Sequence, residues 1–264
     1  MYDFTYHRPD TLDEAVKIFS DADDPQFMAG GQTIIPVMKQ RLAMPSDVID
    51  LGKIGELQGI SIVGDTLTIG AMTSHAEVAS SADVKKAVPA LAQLANDIGD
   101  PAVRNRGSIG GSIANNDPAA DYPAALVALG ATIHTTSREI AAEDFFTGLF
   151  ETALDEGEII AKIAIPVPDK AAYMKFPQPA SRFALVGVFV AKSGDQVCVA
   201  VTGAGPCVFR ATDFEKALEK NFSADALDGI SISSEELSTD IHASAQYRAS
   251  LVTTLARRAV ENAA

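Results

Sequence analysis

The spacing of apolar and polar residues changes several times along the chain, and each change marks an element. Behind the capping-box pair Thr11 and Glu14, the residues Leu12, Ala15, Val16 and Phe19 recur at helical spacing, which predicts a helix over 11–20. A short apolar run, Gln26-Phe27-Met28-Ala29, then enters Gly30-Gly31-Gln32-Thr33, and an apolar helical segment follows over 34–42. Residues 61–63 and 66–69 alternate around Gly64-Asp65 and predict a hairpin. One helix is expected over 83–96, a buried helix over 122–129, and strands over 131–136 and 158–165, the last stopped by Pro166 and Pro168. Residues 99–121 are too rich in Gly, Asn and Asp to predict a regular element. Beyond the proline pair, 183–191 and 197–202 read as neighbouring strands joined by a turn at 192–196, and helices are predicted over 212–220 and 245–260. Strands first and helices after is an α+β signature, and the proline pair is the expected domain boundary.

A chain of 264 residues, 47% of them hydrophobic, can bury a sizeable core in one or two domains at about 150 residues each. The net charge of −14 argues against nucleic acid, which is held by clustered Lys and Arg, and otherwise serves mainly to keep a surface soluble. Cys198 and Cys207 lie in an apolar, Gly-rich stretch without the short paired spacings of zinc or iron–sulfur sites, and read as buried thiols. His7, His75, His134 and His242 are scattered, with no pair at i, i+4, so no protein-bound metal is expected. The first residues lack a basic region followed by an apolar run, and no stretch approaches the roughly 18 apolar residues of a membrane span. A soluble, reducing, cytoplasmic protein is expected.

Two glycine segments carry the candidate chemistry. Glycine permits positive φ and lets backbone N–H groups approach a ligand closely, which suits a diphosphate. Ala29-Gly30-Gly31-Gln32-Thr33 follows a strand and opens a helix, while Gly107-Ser108-Ile109-Gly110-Gly111-Ser112 adds a second turn rich in amides. Neither shows Gly-x-Gly-x-x-Gly with an acidic residue about 20 positions later, which disfavours a nicotinamide-binding Rossmann unit. Asp117 and Asp121 follow the second segment and could bind ribose hydroxyls; Asp121 could equally cap the helix that begins at Tyr122.

Several blocks in order resemble one family: residues 4–15 with Phe4-Thr5-Tyr6-His7-Arg8-Pro9, the Ala29–Thr33 segment with Ile35-Pro36, Ile69-Gly70-Ala71-Met72-Thr73, and Asn105-Arg106-Gly107 through Asp121. More faintly, Tyr173-Met174-Lys175-Phe176, Ala180-Ser181-Arg182 and Tyr247-Arg248 continue the likeness. Together they are similar to the FAD-binding medium subunit of molybdenum hydroxylases of the carbon monoxide dehydrogenase and xanthine dehydrogenase type. The resemblance implies an α+β protein, with a vanillyl-alcohol-oxidase-type FAD-binding domain of two subdomains over 1–168 and a smaller C-terminal α+β domain over 169–264. It implies FAD in the cleft between them, with Ala29, Gly30, Gly31, Gln32 and Thr33 as the first diphosphate loop and Ser108, Ile109, Gly110, Gly111 and Ser112 as the second. Asp121 matches an FAD-contacting aspartate, and Ile160 and Lys175 fall where later flavin contacts lie. Gln32 stands where relatives often have His, and Ser108 where many have Thr; both remain polar. Some members carry an inserted iron–sulfur cluster, but two cysteines cannot supply four thiolates.

The implied function is electron transfer: iron–sulfur clusters of a partner deliver electrons to FAD, which passes them to an external acceptor. The implied partners are a molybdenum-cofactor large subunit and a two-cluster iron–sulfur small subunit, in a dimer of heterotrimers. The sequence shows no nucleophile–base or acid–base constellation, and none is required when the cofactor carries the chemistry. The alternative is a free-standing FAD-dependent oxidase or reductase on the same fold, for which the segment after Pro168 is short. A flavin-free interaction module is a further alternative, against which the two glycine segments and Asp121 speak.

Overall fold

The computed structural model describes residues 1–263, and they form three layered units along the chain. In the first, Thr5–His7 (β1), Pro25–Met28 (β2) and Asp47–Asp50 (β3) make a parallel sheet in the order β1-β3-β2. The helix predicted at Thr11 is Leu12–Asp21 (α1), with the Thr11 side chain accepting the Glu14 N–H. The shorter Ile34–Lys39 (α2) follows the first glycine segment. Ala15, Ile49, Leu51, Ile54 and Leu57 fill the small core between them.

The second unit is an antiparallel sheet of Ile60–Val63 (β4) and Thr66–Gly70 (β5), the predicted hairpin, with three later strands. Its helices come between. They are His75–Ser80 (α3), Ala82–Ala87 (α4), Pro89–Asn96 (α5), Pro101–Arg104 (α6), Ile109–Asn115 (α7) and Tyr122–Ala128 (α8). Thr132–Thr135 (β6), Glu139–Ala141 (β7), the turn Ala142–Phe145 (α9), the small hairpin Phe146–Gly148 (β8) and Glu151–Thr152 (β9), and Ile160–Pro166 (β10) complete it, with sheet order β4-β5-β10-β6-β7.

Two expectations are corrected here. The single helix over 83–96 is two, because Pro89 offers no N–H to continue α4 and instead starts α5, with Val88 held in an extended pre-proline conformation. The segment over 99–121 is not irregular throughout: Asp100 caps α6, Ser108 caps α7, and Ile109 and Ile113, one turn apart, are both fully buried. Two caps and a buried pair outweigh the roughly 1 kcal/mol that each helical glycine costs. Asn116, in the left-handed conformation, ends α7.

After Pro168 come Lys170–Pro177 (β11), which the periodicity did not predict, Ala184–Ser193 (β12), Gln196–Thr202 (β13) and Phe209–Arg210 (β14), antiparallel in that order. Thr212–Lys220 (α10) and Ala245–Asn262 (α11) follow. The sheet is buried on both faces: Tyr173, Phe189 and Ala191 join the core of the second unit, whereas Val186, Val188 and Val190 pack with Val252, Leu255 and Ala256 of α11. That double burial is why residues 184–191 form an uninterrupted apolar run.

Candidate flavin site

The two glycine segments meet face to face. Gly31 has φ +73°, and a Cβ on Gly30 would lie 2.0 Å from the Arg106 carbonyl oxygen and 2.8 Å from the Gly107 Cα, so the first segment rests directly on the second. Gly110 is as tightly confined: a Cβ there would lie 2.7 Å from the Ala71 carbonyl oxygen, to which the Gly110 N–H donates at 2.8 Å. Ser74 and Ser108 form an antiparallel bridge that stitches the start of α3 to the start of α7.

The segments differ in what they leave free. The N–H groups of Gly30, Gly31, Gln32 and Thr33 have no protein acceptor among the described residues. In the second segment Ile109 donates to the Thr73 carbonyl, Gly110 to Ala71, Gly111 to the Ser108 hydroxyl and Ser112 to the Ser108 carbonyl. Of its amides only that of Ser108 is unclaimed among the described residues. The second segment therefore offers close packing and one N–H, not the row of amides its composition suggested.

Both segments border a cavity of about 730 Å³, inside the range of ~300–1,000 Å³ typical of small-molecule sites. Ala29, Gly30, Gly31, Gln32, Thr33, Ser108, Gly110, Gly111, Ser112, Asp117, Asp121 and Ile160 all line it. Ile109 does not, its side chain being fully buried in the core of the second unit at the start of α7, and neither does Lys175. Phe27 lines it too, its ring stacked on Phe19 at 4.6 Å, giving the cavity an apolar aromatic wall.

Asp121 does not cap α8. Its backbone is already helical, and its carboxylate, 4% exposed, accepts from the Tyr173 hydroxyl and from the Lys175 ammonium at 3.0 and 3.2 Å. Burial pushes its pKa up, and the Lys175 charge opposes that rise. Lys175 also donates to the Asp97 carbonyl, so β11 of the C-terminal unit is bolted to the cavity wall through a buried ion pair. Lys175 borders a smaller neighbouring pocket of about 360 Å³ with Arg182, a residue that faces both pockets.

Among the parts of the wall that sequence reading missed are His75, residues 154–159, and the Ser181-Arg182-Phe183 turn of the C-terminal unit. The second is shaped by Glu158, whose buried carboxylate accepts from Arg138, Thr135 and the Asp155 N–H. Burial alone would raise the pKa of Glu158, but those hydrogen bonds bring it below the usual value. Two of these left a signal: Ser74 and Glu77 spell a capping box that puts His75 at the first position of a helix, and Ser181-Arg182 lies in the fainter part of the family likeness.

A cavity of this size fits a dinucleotide: free amides and crowded glycines at one segment crossing, an aromatic wall, and a buried aspartate. The described residues contain no cluster of His, Cys, Asp or Glu that could hold a metal ion, and no helix among them is long and apolar enough to cross a membrane.

Comparison with known proteins gives the same direction. Residues 2–168 match the FAD binding domain in molybdopterin dehydrogenase, and residues 171–263 match the CO dehydrogenase flavoprotein C-terminal domain. The nicotine 6-hydroxylase medium subunit of Paenarthrobacter nicotinovorans is 36% identical over 98% of this chain and 96% of its own. The carbon monoxide dehydrogenase medium chain of Hydrogenophaga pseudoflava is 34% identical over the same shares. Among solved structures, the reconstituted CO dehydrogenase of Oligotropha carboxidovorans superposes with a TM-score of 0.89 at 32% identity, covering 98% of this chain and 96% of that one. The chain thus belongs to the family of FAD-binding medium subunits of carbon monoxide dehydrogenase-type molybdenum hydroxylases, and is an oxidoreductase flavoprotein.

Proposed function

We propose that this chain is the electron-transfer subunit of a molybdenum hydroxylase, holding one FAD non-covalently between residues 1–168 and the C-terminal domain over 169–264. FAD supplies two-electron chemistry to carriers that move one electron at a time. The observation that carries the reading is the crossing of the glycine segments over the cavity, where the N–H groups of Gly30 to Thr33 lack protein acceptors. These amides would hold the diphosphate, together with the N–H and hydroxyl of Ser108 and the hydroxyl of Ser112. Ala29, Gly110 and Gly111 set the close approach, and Ile109 anchors α7 from below. Asp121 would accept from the flavin side chain while Lys175 and Tyr173 fix its carboxylate. Ile160 would pack on the cofactor.

The cavity's bordering residues include no acid–base pair positioned for substrate turnover. Asp121 is engaged by Lys175, and Glu158 by Arg138. Substrate oxidation is accordingly assigned to a molybdenum-cofactor large subunit, and delivery of electrons to a two-cluster iron–sulfur small subunit, in a dimer of heterotrimers. Medium subunits and chains named as such among the relatives support this reading.

The test has two arms. Acid precipitation of the flavin-loaded chain should release FAD into the supernatant, and yellow colour retained in the pellet would exclude non-covalent binding. Affinity isolation from the native host should recover molybdenum, iron and two further subunits. An active substrate-oxidising homo-oligomer with FAD and neither metal would overturn the subunit reading in favour of the free-standing oxidase.

A further inference from the structure

Behind the segment crossing lies an imidazole that no other part of the fold uses. The His75 N–H donates to the Gly107 carbonyl at 3.0 Å, and the Ser74–Glu77 capping box fixes the start of α3, so the backbone here is held from two sides. The side chain is 4% exposed and borders the cavity, yet its Nδ1 is buried without a hydrogen-bond partner among the described residues. Its Nε2 edge faces the crossing: a Cβ on Gly107 would lie 2.5 Å from it, and the Gly107 Cα is what a Cβ on Gly30 would strike at 2.8 Å.

The charges around the cavity make this position matter. Asp117, Asp155 and Glu156 border it, as do Asp121 and Glu158, which are already paired with Lys175 and Arg138. Arg182 is the one Lys or Arg among the bordering residues, and its guanidinium is drawn to the Gly99 carbonyl. A doubly charged phosphate group at the crossing would thus meet free amides, with Arg182 as the one permanent cation bordering the cavity. The groups facing His75 are few. Arg104 of α6 repels a second positive charge, and the Tyr122 ring of α8 lies 5.4 Å away with its hydroxyl also unpartnered among the described residues. α5 carries no titratable residue, Asp83, Lys85 and Lys86 of α4 are exposed, and Glu77 of α3 is occupied by Ser74. Burial first, and Arg104 second, bring the imidazole down to about 4, so it is neutral near pH 7.

We infer that His75 is the counter-charge of the FAD diphosphate, taking one proton from solvent when the cofactor settles at Gly30–Thr33 and returning it on release. The inference rests on the flavin reading above. A single opposite charge within about 4–6 Å raises such a group by about 1–3 pH units, which carries His75 from about 4 up toward the neutral range.

Isothermal titration of the full chain, stripped of flavin, tests this at pH 7 in buffers of different ionisation enthalpy. The expected result is partial proton uptake with FAD at pH 7 that grows as the pH is lowered toward about 6, none with riboflavin, which lacks the diphosphate, and affinity for FAD that strengthens by up to about tenfold per pH unit on acidification. His75→Gln should still bind FAD, with proton uptake and pH slope both lost. Absence of uptake in the parent chain, or the same uptake in the variant, overturns the assignment. Failure of the parent chain to bind FAD in any buffer defeats the flavin reading itself. If the variant does not fold, nitrogen-15 NMR of the His75 ring in the parent chain decides: a doubly protonated pattern with FAD supports the proposal, and a neutral tautomer with FAD overturns it.

Discussion

Replacing Gly30 by alanine is the sharpest perturbation of the crossing. The new methyl carbon would stand 2.0 Å from the Arg106 carbonyl oxygen, 2.7 Å from its carbon and 2.8 Å from the Gly107 Cα. Ordinary contact begins at about 3.4 Å and all three atoms are backbone, so the segments must part by more than about an ångström. Overpacking of this kind costs about 1–3 kcal/mol of stability. The cost to the cofactor is separate, because the free amides of 30–33 move relative to the Ser108 N–H. Hydrogen bonds to a charged group contribute about 1.5–3 kcal/mol each, so losing two weakens FAD binding by ~3–6 kcal/mol, or about 10²–10⁴-fold in Kd. Flavin fluorescence on titration of the stripped chain reads Kd, and thermal unfolding with and without FAD separates binding from folding. Gly55→Ala is the control, since a Cβ there meets nothing within 4 Å. A folded Gly30→Ala chain binding FAD within about threefold of the parent would refute the crossing as the diphosphate site.

Three further outcomes follow from buried polar groups. Lys175→Met strips the buried Asp121 carboxylate of its ion-pair partner and should cost about 3–5 kcal/mol by urea unfolding, part of it recovered in the double variant with Asp121→Asn. The flavin-free chain should lose stability as pH falls from about 6.5 toward 4, because the unfolded chain then binds a proton that folded His75 refuses. At 1.36 kcal/mol per pH unit this amounts to ~3 kcal/mol, and His75→Gln should remove it from the pH series of unfolding midpoints. Arg248→Met should lower the melting temperature through loss of the guanidinium that donates to the Leu185 and Gly203 carbonyls and pairs with Asp240, without changing FAD affinity in the assembled fold. An unchanged melting temperature would show that α11 is held by its apolar face alone.

Much of this protein is written in local pattern. The capping pair at Thr11 and Glu14, the hairpin around Gly64-Asp65, and the α10 and α11 periodicities are near-neighbour signals, and the structure keeps each of them. The glycine segments were legible for the same reason, since positive φ and close backbone approach are demands that only glycine meets cheaply. What tertiary structure decided lies in contacts between distant residues. Whether Asp121 capped a helix or faced a ligand was open until Lys175 and Tyr173, more than fifty positions on, took its carboxylate. Of the helices within 99–121, α7 depends on burial of Ile109 and Ile113 in the core of the second unit, which composition alone argued against. The amides that stay free were also unreadable, because Thr73 and Ala71 claim those of Ile109 and Gly110 across a long sequence gap while nothing among the described residues claims those of Gly30 to Thr33. Periodicity records which face of an element is apolar; which polar groups find partners across the cavity is fixed only when the three units close on one another.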